Sequence, residues 1–249
     1  MSSPEQLDPT GILDADRFAE YEQALGRTWI LERMLERIDR PGLEVCDVGG
    51  ARGRFLAAVA SQARFPIQGT ILEVDERHRE HLVRPEFAFI HGSVVDNDIP
   101  DGAFDIVTFQ HVLHHMVSDS VRNTRALQER TLQEMIRITR PGGWLVFEEQ
   151  VNRVVPFSRL IYWLSRTTNQ HGLRWRYFDV GAVVVSYLTP REIQAWVSHA
   201  CSEGRVAVEA EEFTRWEMPW RWRLTLLMAW SGASSFVLHR TDQGLGSSR

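Results

Sequence analysis

The sequence predicts an α/β fold: a doubly wound, mostly parallel sheet of seven strands with helices on both faces. Two observations predict it. Short apolar runs alternate with helix-forming stretches along most of the chain, a pattern typical of parallel strands joined by crossover helices. The 249 residues are also enough to bury one substantial core, so we expect a single domain.

The elements can be assigned in chain order from periodicity and from residues that start or end helices. Apolar side chains at helical spacing over residues 16–39 predict one or two helices, which end at Pro41 and Gly42. Thr189 followed by Pro190 predicts the start of a late helix. The predicted strands cover residues 43–48, 67–74, 87–90, 104–109, 143–149, 205–213 and 233–239, and the other predicted helices cover residues 53–63, 76–83, 120–139, 190–201 and 219–230.

This order divides the domain into five consecutive segments. Residues 1–40 form an N-terminal helical segment, residues 41–150 form the core of the sheet, and residues 189–240 complete the sheet. Between them, residues 151–188 are an irregular helical insertion rich in aromatic side chains, and residues 241–249 are a polar tail. Right-handed crossovers would place the carboxyl ends of the parallel strands at one edge of the sheet.

The most informative segment covers residues 43–55, where a strand, a glycine-rich turn and a helix follow each other directly. The strand carries Asp47 into a turn that contains Gly49, Gly50 and Gly53. A ligand can reach bare backbone only where side chains are missing, and the start of a helix offers unpaired amide donors. The segment therefore predicts a site for a nucleotide-like molecule.

A second acidic position follows in the register expected for ribose binding. The next apolar run closes on Asp75, roughly twenty to thirty residues after the first strand, where a carboxylate can accept from ribose hydroxyls. Glu73 competes for this role. We favour Asp75, because it lies where the strand ends and the loop facing the ligand begins. We interpret Glu73 as a solvated or capping neighbour.

Four ordered motifs make the prediction specific: DVGGARG at residues 47–53 with the acid at residue 75, PDGAFDIV at 100–107, VLHH at 112–115 and RPGGWLVF at 140–147. Their order and spacing resemble those of class I S-adenosylmethionine-dependent methyltransferases, over about residues 40–150. The resemblance implies a Rossmann-like fold with S-adenosylmethionine as the cofactor. It also implies the cofactor-binding residues, which are Asp47, Gly49, Gly50, Ala51, Gly53, Asp75, Ser93, Val94 and Gln110.

In that family the first motif binds the methionine end of the cofactor, the second acid binds the ribose, and the loop after the third strand binds the adenine. Two positions depart from the pattern. Ala51 replaces the middle glycine, and its methyl group disfavours left-handed backbone and narrows the approach to the turn. Ser93 replaces the usual aspartate, although a hydroxyl or a backbone amide can still bond the adenine amine.

The candidate catalytic residues lie in the segment QHVLHHM, which contains His111, His114 and His115. A histidine titrates near neutrality and can remove a hydroxyl proton. The segment resembles the one that carries the base in O-methyltransferases, with His114 or His115 at the matching place. The alternative is that the pair only packs or bonds a loop. We predict no metal, because no carboxylate lies at a suitable spacing from the three histidines.

Several segments could contact an acceptor. The aromatic residues of the insertion suit a lid over a flat or hydrophobic acceptor, or else a small core of their own. The segment at 215–223, rich in tryptophan and arginine, could press on a membrane or a lipid-like substrate, or simply pack. Glu148 and Glu149 at the end of the fifth strand could bond an acceptor or an arginine of the lid, or form a solvated edge.

Composition limits the function classes. The net charge of −5 and the pI near 6.0 argue against a nucleic-acid partner, because the protein as a whole carries no positive field. All 28 basic residues are arginine, which excludes lysine-based chemistry. Cys46 and Cys201 suit free thiols in a reducing compartment. With no leader-like N-terminus and no apolar run of about 18 residues, we expect a cytoplasmic protein without stable membrane association.

The sequence thus predicts a methyltransferase that uses S-adenosylmethionine and acts on a small hydrophobic or aromatic acceptor. Transfer to oxygen is favoured over carbon or nitrogen, and natural-product or quinone metabolism fits best. One alternative is a non-catalytic subunit that binds S-adenosylmethionine. Another is a nicotinamide dehydrogenase, against which the PGG motif and the lack of a tyrosine–lysine pair argue. The sequence predicts no oligomeric state.

Overall fold

A computed structural model describes residues 28–171, 184–216 and 231–241 of the chain. The predicted helix over 219–230, the polar tail, most of the N-terminal helical segment and residues 172–183 of the insertion lie outside the described residues.

The described residues form one seven-stranded sheet whose order, β3-β2-β1-β4-β5-β7-β6, confirms the predicted fold class. Strands β1 to β5 pair in parallel, while β7 is antiparallel to both β5 and β6. The order reverses direction at β1 and β4, and ligands of doubly wound sheets bind outside the carboxyl ends of strands at such a switch point. The strands are β1 (Leu43–Val48), β2 (Ile67–Glu73), β3 (Ala88–His91), β4 (Phe104–Gln110), β5 (Thr139–Asn152), β6 (Val206–Arg215) and β7 (Ser231–Arg240).

Five α-helices are described, and two of them begin with side-chain caps. Ser120 accepts a hydrogen bond from the main chain of Asn123, and Thr189 forms a reciprocal capping box with Glu192, as its sequence predicts. The helices are α1 (Thr28–Arg37), α2 (Arg54–Gln62), α3 (Val121–Ile138), α4 (Val155–Gln170) and α5 (Pro190–Ser202). Helix α4 lies in the first half of the segment predicted as a helical insertion.

The core lies in two layers, one on each face of the sheet. On one face α1 and α2 pack on the sheet through residues such as Met34 and Leu56. On the other, α3 and α5 pack through residues such as Met135 and Val197. Helices therefore cover both faces, as predicted. Cys46 and Cys201 are free thiols, also as predicted.

Two predicted elements differ from the structure. The helix predicted over 76–83 is a short 3-10 helix, Glu76–His81, because the segment has no apolar stripe and buries only His78. Strand β5 extends well beyond the predicted 143–149 at both ends. Its main chain pairs with β7 from Trp144 to Asn152, so hydrogen bonding continues where the apolar run has stopped.

Candidate cofactor and acceptor site

The glycine-rich turn between β1 and α2 is built from left-handed backbone. Gly49 has φ +69°, Gly53 has φ +72°, and Ala51 between them has φ +46°. A non-glycine residue in this conformation costs about 1–2 kcal/mol. Ala51 therefore adopts the left-handed backbone expected of a glycine at this position, at a cost in strain, and its methyl group is buried.

Close contacts explain why two glycines of the turn cannot be larger residues. A Cβ atom on Gly50 would lie 2.6 Å from the carboxylate oxygen Oδ2 of Asp47. A Cβ atom on Gly49 would lie 2.7 Å from Cγ2 of Val112, which belongs to the loop after β4. The glycine turn and the histidine loop (residues 110–115) are therefore in direct contact at the switch point.

Glu73, the last residue of β2, faces this turn. Its Oε2 accepts a hydrogen bond from the amide of Ala51 at 3.0 Å. Its Oε1 accepts from the amides of Val74 at 2.8 Å and Asp75 at 3.1 Å. Because the side chain is buried, Glu73 is not a solvated neighbour. Its hydrogen bonds to the amides of Val74 and Asp75 fit the capping alternative, and the bond to Ala51 reaches beyond it.

Asp75 is placed differently, with its carboxylate in local contacts. Its Oδ1 accepts from the amide of Arg77 at 3.0 Å and caps the 3-10 helix. The Arg77 guanidinium donates to both carboxylate oxygens at 2.8 to 3.1 Å. This side-chain hydrogen bonding holds the pKa of Asp75 below its usual value.

The residues predicted to bind adenine lie on the same edge of the sheet. Ser93 and Val94 follow the end of β3, and Gly92 donates from its amide to the carbonyl of Glu73 at 3.0 Å. Val94 is buried in the apolar layer beneath this loop, whereas Ser93 is half-buried. Gln110 ends β4 and is half-buried.

His111 begins the histidine loop in an unusual conformation. Its φ is +58°, and its amide donates to the carbonyl of Glu148 at 2.9 Å. The imidazole is buried, and neither ring nitrogen has a hydrogen-bond partner within the described residues. Nε2 lies 3.4 Å from Oε1 of Glu148, and the ring of Trp216 approaches edge-on with 6.4 Å between centroids.

His114 forms the closest polar pair of the loop. Its Nδ1 lies 2.6 Å from Oε1 of Glu149, and Oε2 of the same carboxylate accepts from the amide of Leu113 at 2.7 Å. The His114 ring stacks on Tyr187 with centroids 5.0 Å apart and contacts the ring of His115 at 4.1 Å. The structure thus brings the two predicted histidines together.

The electrostatics of this pair follow from its burial. Desolvation, with a contribution from His111, lowers the pKa of His114 to about 3. Desolvation and the neighbouring His114 lower the pKa of His115 to about 3 as well. Desolvation raises the pKa of Glu149 to about 7. Both imidazoles are therefore neutral near pH 7, where Glu149 is poised to titrate.

Glu148 and Glu149, predicted at the end of the fifth strand, lie within β5 and are not a solvated edge, so that alternative is wrong. Glu148 is 5% exposed and Glu149 is 0% exposed, because β5 lies between β4 and β7. Ser235 of β7 donates its hydroxyl to Glu148 at 3.0 Å. Burial of this kind requires partners, and the histidine loop supplies them.

Gln128 is a positioning residue that the sequence analysis missed. It is buried on α3, and its side-chain amide donates to the carbonyls of Leu113 and Ser186, each at 2.8 Å. Ser186 in turn donates from its amide to the carbonyl of His114 at 2.8 Å. The signal that could have identified it was a long polar side chain at helical spacing from Leu132 and Met135, on the face of the predicted helix that carries apolar residues.

Comparison with known proteins identifies the family. Residues 16–200 match a family model described as a methyltransferase domain. The chain belongs to the class I S-adenosylmethionine-dependent methyltransferases. This family and the fold agree with the resemblance that the motifs predicted.

Individual relatives are more distant. The chain is 33% identical over 115 residues to a demethylmenaquinone methyltransferase of Beutenbergia cavernae, a match that covers 44% of this chain and 42% of that protein. A second protein of the same name, from Paenarthrobacter aurescens, is 34% identical over 79 residues. The matched regions thus span only 28% and 42% of the length of these two curated relatives.

Solved structures show the same fold at low identity. A methyltransferase of Methanosarcina mazei, titled as dependent on S-adenosylmethionine, superposes with a TM-score of 0.58 at 13% identity, covering 86% of this chain and 98% of that one. The cyclase SpnF superposes with a TM-score of 0.59 at 16% identity, covering 85% of this chain and 80% of that one. The fold therefore does not by itself define the reaction.

Proposed function

We propose that this methyltransferase transfers a methyl group from S-adenosylmethionine to a hydroxyl oxygen of a small, hydrophobic or aromatic acceptor of the quinone type. The observation that carries the proposal is the buried His114–Glu149 pair in a loop that packs directly on the glycine turn. The pair would supply a neutral imidazole from the same loop whose Val112 contacts the turn that we expect to hold the cofactor.

The residues of the turn fit the cofactor. Left-handed backbone and the absence of side chains at Gly49 and Gly50 leave main-chain groups bare beside Asp47. For the ribose we propose Glu73 in place of Asp75. Glu73 already reaches the turn, whereas the Asp75 carboxylate caps a helix and bonds Arg77. When bound, S-adenosylmethionine would supply an electrophilic methyl group.

His114 would act as the base. When Glu149 is ionised it can only accept, so the proton of the imidazole lies on Nδ1 and the lone pair on Nε2. Nε2 then takes the hydroxyl proton of the acceptor, and the Glu149 carboxylate stabilises the resulting imidazolium. The Gln128 hydrogen bond to Leu113 fixes the loop from behind.

Two observations support an aromatic acceptor. The rings of Tyr187 and Trp216 lie against His114 and His111 and offer flat apolar contact. The relatives named demethylmenaquinone methyltransferase act, by name, on a quinone. A base that removes a ring hydroxyl proton also activates the adjacent ring carbon, so transfer to carbon is the alternative outcome.

A non-catalytic S-adenosylmethionine-binding protein is the second candidate, and the strained Ala51 within the turn favours it. Calorimetric titration with S-adenosylmethionine and a transfer assay with labelled cofactor and a series of hydroquinones would separate the two. We expect binding and transfer, with the labelled atom identified by NMR of the product. Binding without transfer to any hydroquinone would support the second candidate.

The matched pair His114→Ala and His115→Ala tests the base. We expect the first to lower turnover about a hundredfold or more with unchanged cofactor affinity, and the second to have a smaller effect. Equal turnover in both variants and the parent protein would show that neither His114 nor His115 is the base.

A further inference from the structure

Helix α4 has its polar and apolar faces reversed relative to an ordinary surface helix. Its buried side chains are Ser158, Tyr162 and Ser165. The Tyr162 hydroxyl donates to the carbonyl of Ser118 at 2.8 Å, which anchors this polar face to the loop before α3. Hydrogen-bonding groups therefore attach α4 to the protein, and several of its large apolar residues are left on the outside.

The outward face exposes large apolar side chains. Val155 and Leu160 are each 43% exposed, Trp163 is 52% exposed and Leu164 is 45% exposed. Leu160, Trp163 and Leu164 are neighbours at spacings of three and four residues, and Val155 lies on the same side of the helix nearer its start; we call these four residues the apolar arc. Among the described residues they are half of the large hydrophobic side chains that are exposed, so the arc is a concentrated feature and not scattered surface.

A cationic groove lies along the same arc. Val155 and Trp163 line it from α4 together with Arg159, while Arg122 lines it from α3. Arg125 also lines the groove, but it is paired with Glu192. Arg122 and Arg159 are exposed, and neither has an ion pair with a carboxylate of the described residues. The groove therefore presents uncompensated positive charge next to exposed tryptophan and leucine.

From this juxtaposition we infer that α4 is a docking surface for an anionic lipid bilayer. The guanidinium groups of Arg122 and Arg159 would contact lipid phosphates, while Trp163 and the neighbouring leucines enter the boundary between headgroups and acyl chains. A bilayer fits better than a small anion, because the apolar arc is convex and continues beyond the groove. The contact is peripheral: no helix in the described part of the chain combines the length and hydrophobicity of a membrane-spanning segment.

Helix α4 lies at the same edge of the sheet as the candidate site. The helix begins at Val155, three residues after β5 ends at Asn152, on the edge of the sheet that carries the candidate site. Docking through α4 would hold that edge near the bilayer, where lipid-soluble acceptors concentrate. Vesicle binding requires neither cofactor nor acceptor, so its failure would leave the proposed methyl transfer untouched.

Co-sedimentation of the full-length protein with vesicles tests the inference. We expect binding to vesicles of phosphatidylcholine mixed with phosphatidylglycerol, weak binding to phosphatidylcholine alone, and release by sodium chloride. The double variant Arg122→Ser, Arg159→Ser should lose about thirtyfold in vesicle affinity, at the scale of two surface arginines. The double variant Trp163→Ser, Leu164→Ser should lose at least about tenfold.

Matched controls come from the other side of the sheet. Arg64→Ser removes an exposed arginine after α2, and Val83→Ser removes a side chain that is 51% exposed; both should bind vesicles like the parent protein. Unfolding midpoints confirm that all variants fold.

Several results would overturn the inference. These are equal binding to neutral and anionic vesicles, no binding to either, or parent-like binding by both the double arginine variant and the Trp163→Ser, Leu164→Ser variant. Displacement by inorganic phosphate beyond that by sodium chloride of equal ionic strength would indicate a small-anion site instead. The face would instead belong to a contact with a second copy of the chain if the parent protein is a dimer in sedimentation velocity, the Trp163→Ser, Leu164→Ser variant is a monomer, and neither binds vesicles.

Discussion

Replacing Glu73 by glutamine tests which acid binds the ribose. In the parent protein three main-chain amides, those of Ala51, Val74 and Asp75, donate to the two oxygens of Glu73 at 2.8 to 3.1 Å. Glutamine keeps nearly the same shape but has one carbonyl oxygen and one NH2 group. Whichever way it turns, the NH2 group faces a main-chain donor.

The magnitude follows from this geometry. A buried donor left without an acceptor costs about 1–3 kcal/mol, so the free energy of unfolding of Glu73→Gln should fall by that amount. Loss of a charged hydrogen bond to the ribose costs about 1.5–3 kcal/mol, so the affinity for S-adenosylmethionine should fall roughly 10-fold to 150-fold. Urea unfolding measures the first change and isothermal titration calorimetry the second.

Asp75→Asn is the matched control, since it makes the same change two residues away. The amide oxygen can still accept from the main chain of Arg77, and the lost ion pair is with a side chain that is 64% exposed. Such a pair contributes at most about 1 kcal/mol to stability. We expect unchanged cofactor affinity. If Asp75→Asn weakens binding and Glu73→Gln does not, the reasoning is refuted and Asp75 is the ribose-binding acid.

Three further predictions concern the base and the turn. Turnover should fall as the pH drops through about 7, because protonated Glu149 no longer accepts from His114, and Glu149→Gln should remove this limb of the pH profile while lowering turnover about a hundredfold. Ala51→Gly should change the free energy of unfolding by less than about 0.5 kcal/mol. Relief of the left-handed strain offsets the loss of the methyl group and the greater entropy of the unfolded chain. The control Ala58→Gly, within α2, should lower the free energy of unfolding by about 1 kcal/mol in the same urea titration. As the pH is lowered from 6.5 to 4.5, the free energy of unfolding should fall by about 1.4 kcal/mol per pH unit. In this range His114 and His115 together bind two protons only in the unfolded chain, whereas Glu149 binds one proton only in the folded chain, so unfolding takes up one proton. Replacing both histidines by asparagine should reverse this slope, and an unaltered slope would contradict the prediction.

Local pattern was enough to predict most of the fold. The inner strands β1, β2 and β4 each contain a short apolar run, and the glycine turn is evident from residues 47–53 because bare backbone needs glycine at fixed positions. The capping box at Thr189 is equally local, since its partner is three residues away. Local signals were also sufficient for the family, because its motifs are short and ordered.

Roles that depend on where a strand ends were not predictable. Glu73 and Asp75 both follow an apolar run, and their spacing alone does not distinguish a site residue from a helix cap. The distinction appears only when β2 is seen to end at Glu73. The burial of Glu148 and Glu149 likewise depends on β7 covering β5, which no property of the glutamates indicates.

The sequence by itself determined the order of strands and helices, the bare turn and the presence of three histidines near one edge of the sheet, because these follow from side chains close together in the chain. Only the tertiary structure decided that His114 meets Glu149, 35 residues away, and that α4 turns its apolar residues outward. Both facts depend on the register of β4 against β5 and on long-range polar anchors. Contacts between distant residues depend on the packing of whole elements, and local periodicity carries no information about that packing.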